Sequence, residues 1–242
     1  MLLWTVTSVY GQLSKVHYIP PISITSQISN SVPYAQYIYI STPSESEVSY
    51  VIKPIGQLPS FSEYGTVSNN APVEFGKTYS PIVSQTHNTQ LVVFDNLGSN
   101  VLNNKGYVIE AEKPIYVSVR FQSSAQSGAI VSKGSAALSK SFVFGGFVND
   151  VVTPVVPYNS FFSVMAVEDD TEITVDFPKS VRLTNYTGSY PVTFTLQKHE
   201  SYVGILKAFD GINNFDGLIG GKLNSTKDVV VTSGKTTGTN GP

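Results

Sequence analysis

Apolar and polar residues alternate with a period of two along much of this 242-residue chain. In the segment 113–121, KPIYVSVRF, the residues Ile115, Val117 and Val119 share one side. Successive side chains on a strand point to opposite faces of a sheet, so this pattern is typical of antiparallel strands with one buried face. The same alternation occurs in 47–54, 172–177 and 191–197.

No segment has a convincing helical period. The best candidate, GSAALSKSF (134–142), is about two turns long at most. The sequence therefore predicts an all-β chain.

Three pairs of segments resemble each other in the same order along the chain. They are 47–54 with 172–178, 76–82 with 198–205, and 105–119 with 216–233. A β unit of roughly a hundred residues thus occurs twice. We predict two related antiparallel β-sandwich units in tandem, immunoglobulin-like or jelly-roll-like. Propeller-like blades are the alternative.

The first residues, MLLWTVTSVYGQ, form a short apolar run that ends in small residues and is too short to span a bilayer. We interpret the run as the remnant of an export signal; a buried first strand is the alternative. The last residues are polar, as in a linker, so the chain is expected to continue in a longer exported protein. The predicted parts are 1–12 (export-signal remnant), 13–122 (first β unit), 123–157 (crossing loops), 158–234 (second β unit) and 235–242 (polar tail).

Composition excludes several functions. Charged residues make up 13% of the chain and the net charge is −2, so the basic stripe that a nucleic-acid partner requires is missing. There is no cysteine, which excludes disulfides, thiolate metal sites and a cysteine nucleophile. The three histidines lack zinc-protease spacing, and no G-x-S-x-G motif is present. We predict a protein that is not an enzyme and needs no cofactor.

An acidic cluster lies at 168–172, EDDTE, between an apolar segment and an alternating one. Aspartate readily forms turns because its side chain bonds nearby backbone, so we predict a turn between two strands. A calcium ion held by Asp169 and Asp170 is the alternative, although the order of ligands in an EF-hand is missing.

Glu110 and Glu112 lie two residues apart on a predicted strand and therefore share a face. Paired carboxylates are the machinery of glycosidases. A solvated face with lysines nearby is the simpler interpretation. The alternative function is a polysaccharide hydrolase that uses Glu110 or Asp169.

Tyrosines are the remaining functional signal. Tyr37 and Tyr39 share one face of a predicted strand, and Tyr186 and Tyr190 flank a glycine. Tyrosine on a rigid β surface provides contact area at low entropic cost, so these four residues are a possible ligand surface. The alternative is that the rings only cover the sheet.

Several phrases occur in a characteristic order: NNKGYVIEAEKPIYVSVR, SGAIVSKGSAAL, SVMAVEDDTEITVDF, KHESYV and DGLIGGKLNSTKDVVVTSG. Over most of 13–234 the chain resembles the IgGFc-binding-protein N-terminal-like domain of secreted flavobacterial (Bacteroidota) proteins. Those proteins carry a gliding-motility-associated C-terminal domain for type IX secretion, which is absent here, and the signal peptide lacks its start.

The resemblance implies an extracellular or outer-surface protein, exported through a cleaved signal peptide and without a membrane span. It also implies adhesion, or the binding of an extracellular glycan or protein. A ligand-free structural stalk is a further alternative.

Overall fold

The computed structural model describes residues 12–24, 35–78, 90–122, 127–146, 148, 159–207 and 214–236. Nearly all of the predicted export-signal remnant and most of the polar tail lie outside these ranges. Within them the chain forms sixteen β-strands and three short 3₁₀ turns, and no α-helix.

The strands of the first half are β1 (Ser14–Ile19), β2 (Ile22–Ile24), β3 (Ala35–Ser41), β4 (Val48–Pro54), β5 (Glu63–Val67), β6 (Val73–Thr78), β7 (Val92–Phe94), β8 (Val101–Leu102) and β9 (Tyr107–Gln122). Those of the second half are β10 (Ser127–Ser132), β11 (Ser139–Val143), β12 (Asn159–Ala166), β13 (Thr171–Asp176), β14 (Val192–Leu196), β15 (Ser201–Lys207) and β16 (Lys222–Lys235).

Two large antiparallel sheets contain most of these strands. The first has the order β5-β4-β9-β3-β6, with β1 and β10 also paired to β9. The second has the order β14-β13-β16-β12-β15-β8, with β11 also paired to β16. A short parallel pair, β2 with β7, stands apart. The predicted all-β fold is confirmed, and the two sheets are consistent with tandem sandwich units.

The internal repeat predicted from the sequence has a structural counterpart. β4, β6 and β9 occupy the same places in the first sheet as β13, β15 and β16 in the second. Both sheets even share an irregularity. Between Ser14 and Val16 of β1 the partner on β9 jumps from Ile115 to Glu110. Between Ser139 and Ser141 of β11 the partner on β16 jumps in the same way, from Val229 to Asn224. Bulges of this kind are persistent features of a fold. The shared one therefore shows which residue of the first unit corresponds to which residue of the second.

The segment 123–157 was predicted to consist of crossing loops, and this is wrong for two parts of it. β10 adds to the first sheet beside β9, and β11 adds to the second beside β16. Both strands are short and rich in serine, so their alternation is weak in the sequence. The long neighbouring strands β9 and β16 provide backbone partners for β10 and β11, and the residues of β10 and β11 do not predict this pairing. A 3₁₀ turn, Gly134–Ala137, lies between them.

Each unit has its own apolar core. The first contains residues of β3, β4 and β9, and the second is centred on β12, β13 and β16. Two further clusters join the halves. One packs Phe161, Val203 and Ile205 against Ile22 and Val93, and the other packs Met165 against residues of β1 and β9. Apolar contacts in these two clusters therefore hold the two units together.

A buried histidine ties three strands of the first sheet together. His17 on β1 is fully buried. Its Nε2 lies 2.9 Å from the Ile115 carbonyl on β9, and its Nδ1 lies 2.9 Å from Ser132 Oγ on β10. An imidazole that donates through Nε2 and accepts through Nδ1 is neutral and satisfies both contacts. Burial lowers the pKa of His17 below its usual 6.5, against the opposing effect of its carbonyl partners.

This environment predicts a dependence of stability on pH. In the unfolded chain His17 becomes protonated below about pH 6.5, whereas the fold resists that proton. The contribution of His17 is therefore full above about pH 6.5 and declines as the pH falls toward the folded pKa. We expect His17→Gln to cost about 1–3 kcal/mol at pH 8 and to flatten the decline measured between about pH 8 and pH 5 by urea unfolding.

The comparison variant is His199→Gln. Burial lowers the pKa of this half-buried histidine as well, so its removal should flatten the decline by its own contribution and leave that of His17 in place. A His17→Gln variant with the same pH slope as the unmodified chain would contradict the assignment.

Candidate functional site

Three tyrosines share the outer face of the first sheet. On β3, Ile38 and Ile40 point into the core, so Tyr37 and Tyr39 point outward and are half-buried. On β9 the same alternation turns Tyr116 outward, together with Arg120. Strand register places Tyr37 opposite Arg120 and Gly76, and Tyr39 opposite Glu74 of β6. We call this surface the tyrosine face: Tyr37, Tyr39, Glu74, Tyr116 and Arg120.

The side chains of the tyrosine face are ordered by one another. The rings of Tyr37 and Tyr39 are 6.3 Å apart and tilted by 46°. Arg120 Cζ lies 5.1 Å from the centre of the Tyr39 ring, a cation–π distance. A hydrogen bond to Glu74 is the main cause that raises the pKa of Tyr39 above its usual value. Tyr39 is thus held between a cation and a carboxylate and presents a preorganised surface.

Gly76 allows the ring of Tyr37 to lie close to β6. A Cβ at this position would overlap the Tyr37 ring. The absence of a side chain therefore has a packing reason, as is common for glycine within a strand.

Tyr186 and Tyr190 brace a loop of the second unit, the connection 177–191. The Tyr186 hydroxyl donates to the Ser189 carbonyl at 2.7 Å, and the Tyr190 hydroxyl accepts from the Leu183 amide at 3.0 Å. Their rings meet edge to face with centres 5.4 Å apart. The four predicted tyrosines thus form two separate pairs, one on each unit, and the second pair makes loop contacts.

The acidic cluster forms the turn between β12 and β13, as predicted. Asp169 Oδ1 accepts the Lys198 backbone amide at 2.9 Å, and Asp170 Oδ1 accepts from Gln197 Nε2 at 3.1 Å. Asp170 has a φ of +52°, a conformation that aspartate tolerates. These bonds fasten one turn to the next, between β14 and β15. In the described ranges no three Asp, Glu or His side chains converge as metal ligands would.

A cleft of about 370 Å³ lies where the two units meet. Its walls are 53–56 and Val108 of the first unit and 197–200 of the second, with Asn103 beside them. His199 stands here with a φ of +69° and its ring 6.2 Å from the ring of Tyr18. Burial is the main cause that lowers the pKa of His199, and the positive charge of Lys198 adds to it. We call this space the junction cleft.

The negative charges of both carboxylates of the alternative hydrolase, Glu110 and Asp169, raise the pKa of His199 and so partly oppose the effect of burial. Each already has a partner. Lys53 Nζ lies 2.6 Å from Glu110 Oε2, and Asp169 holds the Lys198 amide. A glycosidase needs a protonated acid and a second carboxylate that face one sugar ring. Glu112, the predicted pair partner of Glu110, is exposed to solvent and not enclosed in a pocket. The geometry therefore does not favour the hydrolase.

Sequence reasoning missed part of the tyrosine face and all of the junction cleft. Alternation along 113–121 does place Tyr116 and Arg120 on the polar side of a strand. What it does not show is that this strand lies beside β3 and β6. The cleft combines residues far apart in sequence, with no motif to mark them.

Sheet order and open face together define the class of this protein: an all-β chain of two related units with a candidate binding surface. Among the described residues, no helix has the length and apolar character needed to cross a membrane. The family model described as IgGFc binding protein matches residues 127–242. That match spans β10 through β16 and lies outside the tyrosine face. No curated protein and no solved structure matches the chain.

Proposed function

We propose that this chain is a non-catalytic binding domain whose tyrosine face contacts a protein or glycan ligand. One observation carries the proposal. The equivalent face of the second unit is buried against another layer of the protein, whereas in the tyrosine face Tyr116 and Arg120 are exposed and Tyr37 and Tyr39 are only half-buried.

The shared bulge makes the two faces comparable residue by residue, because Ile115 and Val229 occupy the same place in it. Strand pairing extends the match across each sheet. By this register Tyr37 corresponds to Phe161 and Tyr39 to Ser163. Glu74 corresponds to Val203 and Gly76 to Ile205. Tyr116 corresponds to Val230 and Arg120 to Gly234.

In the second unit this face is apolar and covered. Phe161 is 5% exposed, and Val203 and Ile205 are fully buried. They pack against Ile22, Val93 and Leu102, which belong to β2, β7 and β8. In the second unit this face is therefore a surface on which another part of the same chain packs.

In the first unit the same positions carry tyrosine, arginine and glutamate, and Tyr116 and Arg120 are exposed. Tyrosine and arginine are enriched in protein interfaces and at their hot spots. Tyrosine rings also provide flat apolar faces for sugar rings. These residue types suit a ligand that binds and leaves, rather than a permanent core, so we infer a reversible contact.

The wider context belongs to the same proposal. We infer an extracellular or outer-surface protein, exported through a cleaved signal peptide as part of a longer type IX-secreted chain and acting in adhesion. The ordered phrases of the sequence and the family match over the second half support this context. The proposed binding mode requires no cofactor.

Binding is tested with two probes, a glycan array and immobilised Fc fragment of IgG, the latter chosen from the family description. We expect Tyr39→Ala with Arg120→Ala to weaken binding to the positive probe more than tenfold, because a lost hot spot costs about 2 kcal/mol or more. Both side chains lie outside the core, so the melting temperature should fall only by the few degrees that the loss of their surface contacts costs.

Tyr64→Ala, which removes an exposed tyrosine outside the face, is the control. Equal binding by the double variant and this control would contradict the assignment of the face. A chain that binds neither probe would favour the structural stalk.

A further inference from the structure

One edge of the second sheet differs from the equivalent edge of the first. In the first sheet, β10 pairs with the second half of β9, from Val117 to Gln122. By the shared bulge, this half of β9 corresponds to 231–236 of β16. β12 pairs with one side of that segment, and no strand of the described ranges pairs with the other side. The second sheet thus has an edge where the first has a strand.

The direction of the backbone groups at this edge follows from the pairing with β12. The Thr236 amide donates to the Asn159 carbonyl at 2.9 Å, so Thr236 is bonded toward β12. Bonded and non-bonded positions alternate along an antiparallel pair. The amides and carbonyls of Val231, Ser233 and Lys235 therefore point away from β12. We call these three residues the β16 edge; groups of this kind are a template for a further strand.

The exposure of the side chains agrees with this difference. Val117 and Val119 of β9, which lie opposite residues of β10, are fully buried. Their counterparts are Val231, which is half-buried, and Ser233, which is exposed. The β16 edge is therefore accessible to solvent at positions that β10 helps to cover in the first unit.

β10 shows what kind of segment fits such an edge. It is a six-residue strand, SGAIVS, and it runs antiparallel to β9. Ile130 lies opposite Val119, and its side chain packs against the first core. An extended peptide that adds to a sheet edge gains affinity from backbone hydrogen bonds and specificity from its alternate side chains. An antiparallel strand with small and branched residues therefore suits the β16 edge.

Lys235 determines which strands of this kind are accepted. Its counterpart in the first unit is Phe121, and a Cβ on the facing Gly128 would overlap the Phe121 ring. Neither ion pair among the described residues includes Lys235, although burial lowers the pKa of its ammonium group. A lysine at a strand edge opposes pairing with a purely apolar strand. A strand with Asp or Glu opposite Lys235 provides the missing carboxylate.

We propose that the β16 edge binds an extended strand of a partner protein, antiparallel to β16 and with an acidic residue opposite Lys235. The backbone groups of Val231, Ser233 and Lys235 hold the strand, and the ammonium group of Lys235 selects it. This contact uses the second unit, whereas the tyrosine face belongs to the first, so the two sites are separate.

Fluorescence anisotropy of two labelled peptides, titrated with the full chain, tests the proposal. The first peptide copies 126–133, QSGAIVSK, and the second carries Gly128→Glu, which brings a carboxylate opposite Lys235. We expect the acidic peptide to bind about two- to fivefold more tightly at low salt, the gain from one exposed ion pair. High salt, or Lys235→Gln in the chain, should remove this difference.

Methylation of the acidic peptide distinguishes strand pairing from contact through side chains alone. In the expected register the Ile130 amide donates to the Ser233 carbonyl, whereas the Val131 amide points away from β16. N-methylation at Ile130 should weaken binding at least tenfold, because it removes a hydrogen bond and keeps the strands apart. N-methylation at Val131 is the matched control and should change binding little.

Two variants of the chain provide a second readout. Ser233→Pro removes an edge amide that β12 does not use and should weaken binding at least tenfold, whereas Ser233→Ala keeps that amide and the affinity. Absent binding, or equal binding of the two methylated peptides, overturns the proposal. Dimerisation of the chain that Ser233→Pro abolishes would also overturn it, in favour of a second copy at the edge. The tyrosine face is unchanged in these variants, so failure here leaves the proposed function standing.

Discussion

Replacing Phe162 with alanine is expected to lower the free energy of unfolding by about 3–5 kcal/mol. Phe162 is the largest fully buried side chain of the second core. Its ring stacks between Phe144 and Tyr202, with centres 5.0 and 6.0 Å away. Truncation removes the buried ring and leaves a cavity among rigid strands, and both effects destabilise the fold.

Urea unfolding measures this change, with Phe61→Ala as the exposed control, for which we expect about 0.5 kcal/mol or less. Gly204 sharpens the test, because it lies opposite Phe162 on β15 and a Cβ there would overlap the Phe162 ring. Gly204→Ala should be destabilising alone and better tolerated beside Phe162→Ala. Additive costs in the double variant would show that the two positions are not in the contact described.

A fragment of residues 127–242 is expected to be far less soluble than the whole chain, although this is the part that the family model matches. Without the first half, Phe161, Val203 and Ile205 lose the cover of β2, β7 and β8. The edge of β15 also loses its pairing with β8. A contiguous apolar face beside an unpaired strand edge promotes aggregation.

Centrifugation after expression, with dye binding to exposed apolar surface, measures the outcome. Substituting Phe161→Ser, Val203→Thr and Ile205→Thr in the fragment should restore part of its solubility, because these changes make the uncovered face polar. A fragment that is as soluble and as stable as the whole chain would show that the junction contributes little.

The alternation of apolar and polar residues predicted the strands with one solvent-exposed face, such as 113–121 within β9. It says less about β12, which is buried on both faces because the first half covers its outer side. The strands β10 and β11 were missed for the opposite reason: they are short and rich in small residues, and each is stabilised by a longer neighbour. The repeat predicted two related units, whereas the packing between them depends on side chains distant in sequence.

The candidate site, like the fold, was predicted only in part from the sequence. The pattern of β3 predicts that Tyr37 and Tyr39 point away from Ile38 and Ile40. Their contact with Arg120 and Glu74 depends on which strands are neighbours, and spacing in the sequence carries no such information. Tyr186 and Tyr190 form the opposite case, because their hydroxyls are already used by loop carbonyls and amides.

The pairing of β8 with β15 gives a strand from the first half of the chain to the sheet of the second. Rotation of one unit against the other would break that pairing and pull apart the apolar clusters beside it. We therefore expect the two units, joined in this way, to move as one rigid body. The second unit would therefore keep a constant distance and angle to a ligand bound at the tyrosine face of the first.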